Sequence, residues 1–141
     1  MLTGQTLTTP QVVDVANEHE VGAFIGHHTL AEFHGVEPAL LDDGPQLRDM
    51  LTGALAQSGA TVCDIILKQF EPQGVTVLAL LSESHASIHT YPERGSLFMD
   101  VFTCGTVAKP WLAVDLLAQA MGAADVRTNT VLRGDTHPCC Q

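Results

Sequence analysis

Four β-rich runs, Val62 to Phe70, Val75 to Leu81, Ala86 to Tyr91 and Ser96 to Thr103, follow one another with almost no chain between them. Two of the breaks, Glu71-Pro-Gln-Gly74 and Pro92-Glu-Arg-Gly95, carry the proline and glycine of tight turns. Breaks this short leave no room for a crossover helix, so neighbouring runs are expected to pair antiparallel. Two more strands flank them: Val21 to Val36, extended through Ala23 to Leu30, and Asp125 to Arg133.

Helical patterns fill the gaps. Over Leu40 to Ser58, Leu47, Met50, Leu51, Ala54 and Leu55 fall on one face at three- and four-residue spacing. Asp43-Gly-Pro45 supplies a cap and a first-turn proline, and Gly59 stands where a C-cap belongs. Lys109-Pro110 opens a second helix with Trp111, Val114, Leu117 and Met121 on one stripe, ended by Gly122. The predicted order is β, α, β, β, β, β, α, β. This is an α+β, two-layer sandwich: a mostly antiparallel sheet with two helices on one face. In the run 75–81, Val75, Val77, Ala79 and Leu81 alternate with Leu78 and Leu80, so both faces carry apolar residues. A face of that kind is poorly left in water, which predicts dimerisation sheet to sheet.

A chain of 141 residues suits a single domain over 1–141, with the polar residues 1–19 as an extension. Hydrophobic residues at 45% against 16% charged describe a folded protein. No apolar run reaches the roughly 18 residues of a membrane helix, and no basic-then-apolar leader opens the chain. A soluble cytoplasmic protein with no membrane partner is the expectation. A formal charge of −10, with only six Lys and Arg, argues against a nucleic-acid partner, because a phosphate backbone rewards clustered cations. The acidity serves solubility or steers a cationic small molecule. Cys63, Cys104, Cys139 and Cys140 make no secreted disulfide framework. His137-Pro-Cys-Cys140 lacks a second well-spaced ligand pair, so it reads as a frayed end, and no metal is expected.

Chemistry concentrates in Leu81-Ser-Glu-Ser-His-Ala-Ser-Ile-His-Thr-Tyr-Pro-Glu-Arg-Gly95 and Asp100-Val-Phe-Thr-Cys-Gly105. Serine needs a base or a strained backbone to act as a nucleophile. His85 and His89 lie close to Ser84, and strand alternation puts Ser84 and His85 on opposite faces. Two local readings stay open: a Ser/His hydrolase, though without a Gly-x-Ser-x-Gly elbow, or polar residues of structural use.

Four blocks together resemble the S-adenosylmethionine decarboxylase proenzymes of the small prokaryotic type. They are Phe-x-Pro-x-Gly-Val from Phe70, Ser-Glu-Ser-His from Ser82, Ile-His-Thr-aromatic-Pro-Glu from Ile88, and Asp-x-Phe-Thr-Cys-Gly from Asp100. The resemblance spans most of residues 23–133 and is densest from Phe70 to Gly105. It implies a self-processing, pyruvoyl-dependent carboxy-lyase of polyamine (spermidine) biosynthesis. In that scheme Ser84 attacks the Glu83 carbonyl and the peptide bond becomes an ester. Elimination then leaves a dehydroalanine, which hydrolyses to a pyruvoyl group and ammonia. The products are a β chain of residues 1–83 and an α chain of residues 84–141 headed by the pyruvoyl cofactor, which forms a Schiff base with the substrate amine.

By the same resemblance His89 is the base for the elimination, and Thr76 stands where the family has a processing serine. Cys104 is the proton donor of the decarboxylation. Phe70 stacks on adenine near the sulfonium, Glu93 holds the ribose, and Tyr91 replaces a family tryptophan beside the pocket. Homodimers with sites near the subunit interface are also implied. Departures from the family pattern, Tyr91 and Arg94-Gly-Ser-Leu-Phe-Met99, flank the substrate pocket. S-adenosylmethionine is the expected substrate. The alternative is L-ornithine or L-arginine, with Glu32, Glu93 or Asp100 as the carboxylate for the distal cation. A third reading is an uncleaved binding subunit, against which the presence of Ser84, His89 and Cys104 stands.

Overall fold

The computed structural model describes residues 24–135; the expected 1–19 extension and the Cys139-Cys140 tail lie outside them. Six strands, β1 (Ile25–His34), β2 (Val62–Gln69), β3 (Val75–Leu81), β4 (Ser84–Tyr91), β5 (Ser96–Cys104) and β6 (Asp125–Gly134), form one sheet. Their order is β2-β3-β4-β5-β1-β6, and every neighbouring pair is antiparallel. Three α-helices, α1 (Pro38–Leu41), α2 (Gly44–Gln57) and α3 (Pro110–Met121), accompany a 3-10 turn at Pro92–Arg94. The two-layer α+β architecture is the one the patterns predict. No helix among the described residues is long and apolar enough to cross a membrane.

The helix expected as one piece over Leu40 to Ser58 is two, α1 and α2. Pro45 has no N–H to give to the Leu41 carbonyl, so the ladder breaks there. That carbonyl instead accepts the Thr90 hydroxyl at 2.7 Å. Asp43 restarts the helix, its carboxylate accepting the Gln46 N–H at 3.1 Å. Strand β1 runs on past Leu30 to His34, within the Val21 to Val36 segment. Pairing with β5 on one side and β6 on the other settles its length.

Alternation sorts the sheet into two faces. Val75, Val77, Ala79 and Leu81 are buried under α2 and α3, together with Ile88 of β4 and Val101 of β5. Leu47, Leu51 and Leu55 of α2 and Val114, Leu117 and Met121 of α3 cover them. Trp111, placed on that stripe by spacing, is instead 42% exposed and sits edge-on to His27 at 5.4 Å. The other face has no helix over it. There Leu30, Ile66, Leu78, Leu80 and Phe98 remain exposed.

Thr90 is a buried polar residue beside the core. Its hydroxyl accepts the Val75 N–H at 2.8 Å while donating to Leu41, tying α1, β3 and β4 together. Thr90→Val keeps the volume but orphans two buried backbone groups. A loss of about 1–3 kcal/mol is expected, read from the urea unfolding midpoint; an unchanged midpoint would refute this role.

Candidate active site

Register along β4 decides where each chemical group lands. At its start, Ser84 faces Thr103 of β5; near its end, His89 faces Thr76 of β3 and Phe98 of β5. The bend Ser82-Glu83 is tied to Thr61 before β2. The Ser82 N–H donates to the Thr61 carbonyl at 3.0 Å, and the Thr61 N–H donates to the Glu83 carboxylate at 3.1 Å. The Glu83 main-chain carbonyl accepts the Cys104 N–H at 3.1 Å. A polarised carbonyl thus lies beside a serine hydroxyl. Ser84 Oγ sits 3.0 Å from His85 Nδ1. Strand alternation alone separates those two side chains, but Ser84 is the first strand residue after a bend, where the pleat is not yet enforced. Thr103, across from Ser84, has a buried hydroxyl with no partner among the described residues. Cys104 ends β5 with its thiol exposed.

A cavity of about 310 Å³ lies at the other end of β4, and its lining includes Phe70, Gly74, Thr76, His89, Tyr91 and Glu93. The hairpin that carries Phe70 closes through the Phe70 N–H on the Gly74 carbonyl at 2.8 Å. Gly74 takes φ 106°, open to glycine and strained for other residues. Its N–H and the Gln69 side-chain amide both donate to Asp42 Oδ1 at 2.9 Å, which anchors the hairpin to the α1–α2 junction. Thr76 Oγ1 lies 3.0 Å from His89 Nδ1. The methyl that distinguishes threonine from the expected serine leaves this hydroxyl–imidazole contact in place.

The predicted residues therefore fall into two groups. Glu83, Ser84 and Cys104 meet at one end of β4; Phe70, Thr76, His89, Tyr91 and Glu93 line the cavity at the other. Five residue steps of extended strand separate Ser84 from His89, roughly 16 Å along the chain. One chain does not bring the two groups together.

Sequence reasoning missed the network at the centre of the open face. His28 Nε2 lies 2.7 Å from Asp100 Oδ2, and the Ser87 hydroxyl donates to Asp100 Oδ1. His85 Nε2 lies 3.6 Å from Asp100 Oδ2. Arg133 donates to His28 Nδ1 at 3.1 Å and stacks over the Phe102 ring at 4.2 Å. With Nδ1 accepting, the His28 proton sits on Nε2 and points at Asp100. His28 and Arg133 are 105 residues apart, and only the adjacent β5, β1 and β6 make them neighbours of Asp100. His28, His85 and Asp100 place three possible metal-ligand atoms within 4.8 Å of one another. The Arg133 guanidinium and the hydrogen bonds already made disfavour a cation there. Glu32 bonds His34 at 3.0 Å and shares a cavity of about 460 Å³ with Asp100 and Arg127.

Residues 27–134 match the model of the S-adenosylmethionine decarboxylase family. An S-adenosylmethionine decarboxylase proenzyme of Syntrophomonas wolfei is 38% identical over 110 residues, 78% of this chain and 87% of its own. Another, of Prochlorococcus marinus, is 48% identical over 99 residues, 70% of this chain and 79% of its own. The crystal structure of the adenosylmethionine decarboxylase from Aquifex aeolicus superposes with a TM-score of 0.75 at 33% identity, covering 82% of this chain and 95% of that one.

Thr76→Val removes the hydroxyl from His89 while keeping a β-branched strand residue, and Thr76→Ser keeps the hydroxyl. If the chain cuts itself between Glu83 and Ser84, that cleavage, followed on denaturing gels, is expected to slow about tenfold in the valine variant and to hold in the serine variant. Equal rates in both would show that the contact has no part in His89 chemistry.

Proposed function

The chain belongs to the S-adenosylmethionine decarboxylase family, and we propose that it is a self-processing, pyruvoyl-dependent decarboxylase of polyamine biosynthesis acting on S-adenosylmethionine. The observation that carries the processing is the Glu83 carbonyl. It accepts the Cys104 N–H at 3.1 Å, and Ser84 follows it in the chain. When Ser84 Oγ attacks, negative charge gathers on that oxygen, and a donor already aimed there lowers the barrier. The peptide C–N bond then breaks and Glu83 is left esterified to Ser84. Removal of the Ser84 α-proton expels the Glu83 carboxylate and separates residues 1–83 from residues 84–141. His89 is the base for that removal.

His89 of the same chain stands roughly 16 Å along β4 from Ser84. A second copy brings its own His89 to Ser84 when two open sheet faces meet. Those faces carry exposed Leu30, Ile66, Leu78, Leu80 and Phe98, the apolar surface such a dimer would cover. Each site then combines Glu83, Ser84 and Cys104 of one protomer with Phe70, Thr76, His89, Tyr91 and Glu93 of the other.

The residues present fit a pyruvoyl group. Ser84 supplies its atoms, and the buried Thr103 hydroxyl across the register, without a partner among the described residues, offers it a donor. The group supplies an electron sink for loss of CO2. Cys104 returns a proton to the substrate carbon, its thiol exposed on the edge of the site. Phe70 stacks on adenine and attracts the sulfonium through its ring face, Glu93 accepts the ribose hydroxyls, and Tyr91 closes the pocket. Ornithine or arginine is disfavoured as substrate. Glu32 and Asp100 are already bonded to His34, His28 and Ser87, and the Arg127 guanidinium lines the same cavity.

On a denaturing gel the purified chain should run as two bands and its Ser84→Ala variant as one. A single band for the parent sinks the pyruvoyl reading. CO2 release should be seen with S-adenosylmethionine, and not with ornithine or arginine alone; turnover of only the amino acids would reverse the substrate assignment. Co-expression of Ser84→Ala with His89→Ala should restore cleavage of the His89→Ala chain, since one of the two shared sites is then intact. Leu80→Glu should shift sedimentation from dimer to monomer and stop cleavage; a cleaved monomer would show that each site is complete in one chain.

A further inference from the structure

We propose that His85 is the general base that starts self-cleavage, and that Asp100 and His28 are the positioning residues that hold it for that step. The inference rests on the self-processing reading above and adds the group that takes the first proton. Attack by Ser84 requires its hydroxyl to lose a proton as the bond to Glu83 forms, and a base must lie within hydrogen-bond reach. His85 Nδ1 is there, at 3.0 Å from Ser84 Oγ. The Glu83 carboxylate takes the Thr61 N–H, and the Cys63 thiol lies against Ser82 Oγ at 3.3 Å. His89 is at the far end of β4, bonded to Thr76.

For Nδ1 to accept, the ring proton must sit on Nε2. That nitrogen faces Asp100 Oδ2 at 3.6 Å, too long for a hydrogen bond but within ion-pair reach. The carboxylate itself is held by Ser87 and by His28, and His28 by Arg133. The half-exposed His85 ring lies edge-on to His28 at 6.1 Å and tilted against Phe102 at 5.8 Å. Its imidazolium form meets a fixed negative charge. The division of labour is that of a Ser-His-Asp triad with the two ring nitrogens exchanged.

The step balances within the chain. The Ser84 Oγ proton moves to His85 Nδ1, and Oγ bonds to the Glu83 carbonyl carbon. Charge forms on the oxygen that accepts the Cys104 N–H. Collapse breaks the bond to the Ser84 nitrogen, and the proton on His85 Nδ1 passes to that nitrogen, leaving a neutral amine, an ester and the original imidazole.

Hydroxylamine separates this step from the later elimination because it cuts an ester at Glu83-Ser84 and spares the amide. In a His89→Ala background, scission by hydroxylamine on a denaturing gel reads ester formation alone. His85→Gln and His85→Ala are expected to form the ester about a hundredfold more slowly than the background chain. Imidazole in the buffer should restore much of the rate to His85→Ala, which a packing role for the ring would not allow. Asp100→Asn should slow the step, and Asp100→Glu should recover part of what is lost. Ester formation at the background rate in the His85 variants, or no rescue by imidazole, overturns the proposal. If the parent chain cleaves while the His85 variants cleave equally fast, only this inference falls. A parent chain that never cleaves brings down the self-processing reading as well.

Discussion

The antiparallel register of β4 between β3 and β5 is the constraint on which the rest depends. Side chains alternate along a strand, so a slip of one residue would send every open-face group into the core and every core group outward. Buried Ala86, Ile88 and Thr90 hold the register from below, and the two hydrogen bonds of the Thr90 hydroxyl pin it to β3 and α1. With that register set, His85, Ser87 and His89 all stand on the open face. Ser84 stands opposite Thr103, so the following residue, Cys104, offers its N–H to the Glu83 carbonyl.

The same register divides the chemistry. The Glu83-Ser84 bond and the Cys104 thiol gather at one end of β4, the cavity and His89 at the other, and the Asp100 network lies between. A helix layer covers the opposite face and leaves this one bare, with apolar residues at its margin. Bare apolar surface and a divided site are the two observations behind the proposed face-to-face dimer. At the centre of this face the Asp100 carboxylate is matched by histidine, with Arg133 behind it.

Much of the fold was legible because its signals are local. Alternation marked β3 as two-sided, and Val75, Val77, Ala79 and Leu81 prove to be its buried set. Asp43 caps α2, and Gly122 ends α3 in the left-handed conformation, as read. Misreadings had physical causes. Pro45 broke one expected helix into two because it has no N–H to give to Leu41, while the apolar spacing held within α2. Trp111 carries the right period for the core but lies against His27 at the rim. Ser84 and His85 touch although alternation separates them, since a bend precedes the strand.

By itself the sequence determined the chemical inventory: the order of elements, the turn residues, and a dense set of polar residues with the spacing of a self-processing proenzyme. Those properties depend on neighbours within a few residues, so they survive without knowledge of the fold. Only the tertiary structure decided which of them meet. The Cys104 N–H on the Glu83 carbonyl, Thr76 on His89, and Arg133 through His28 to Asp100 all join separate segments of the chain. Such contacts are set by strand order and register, which the composition of no single segment specifies, because pairing is a property of two segments and of the core they share.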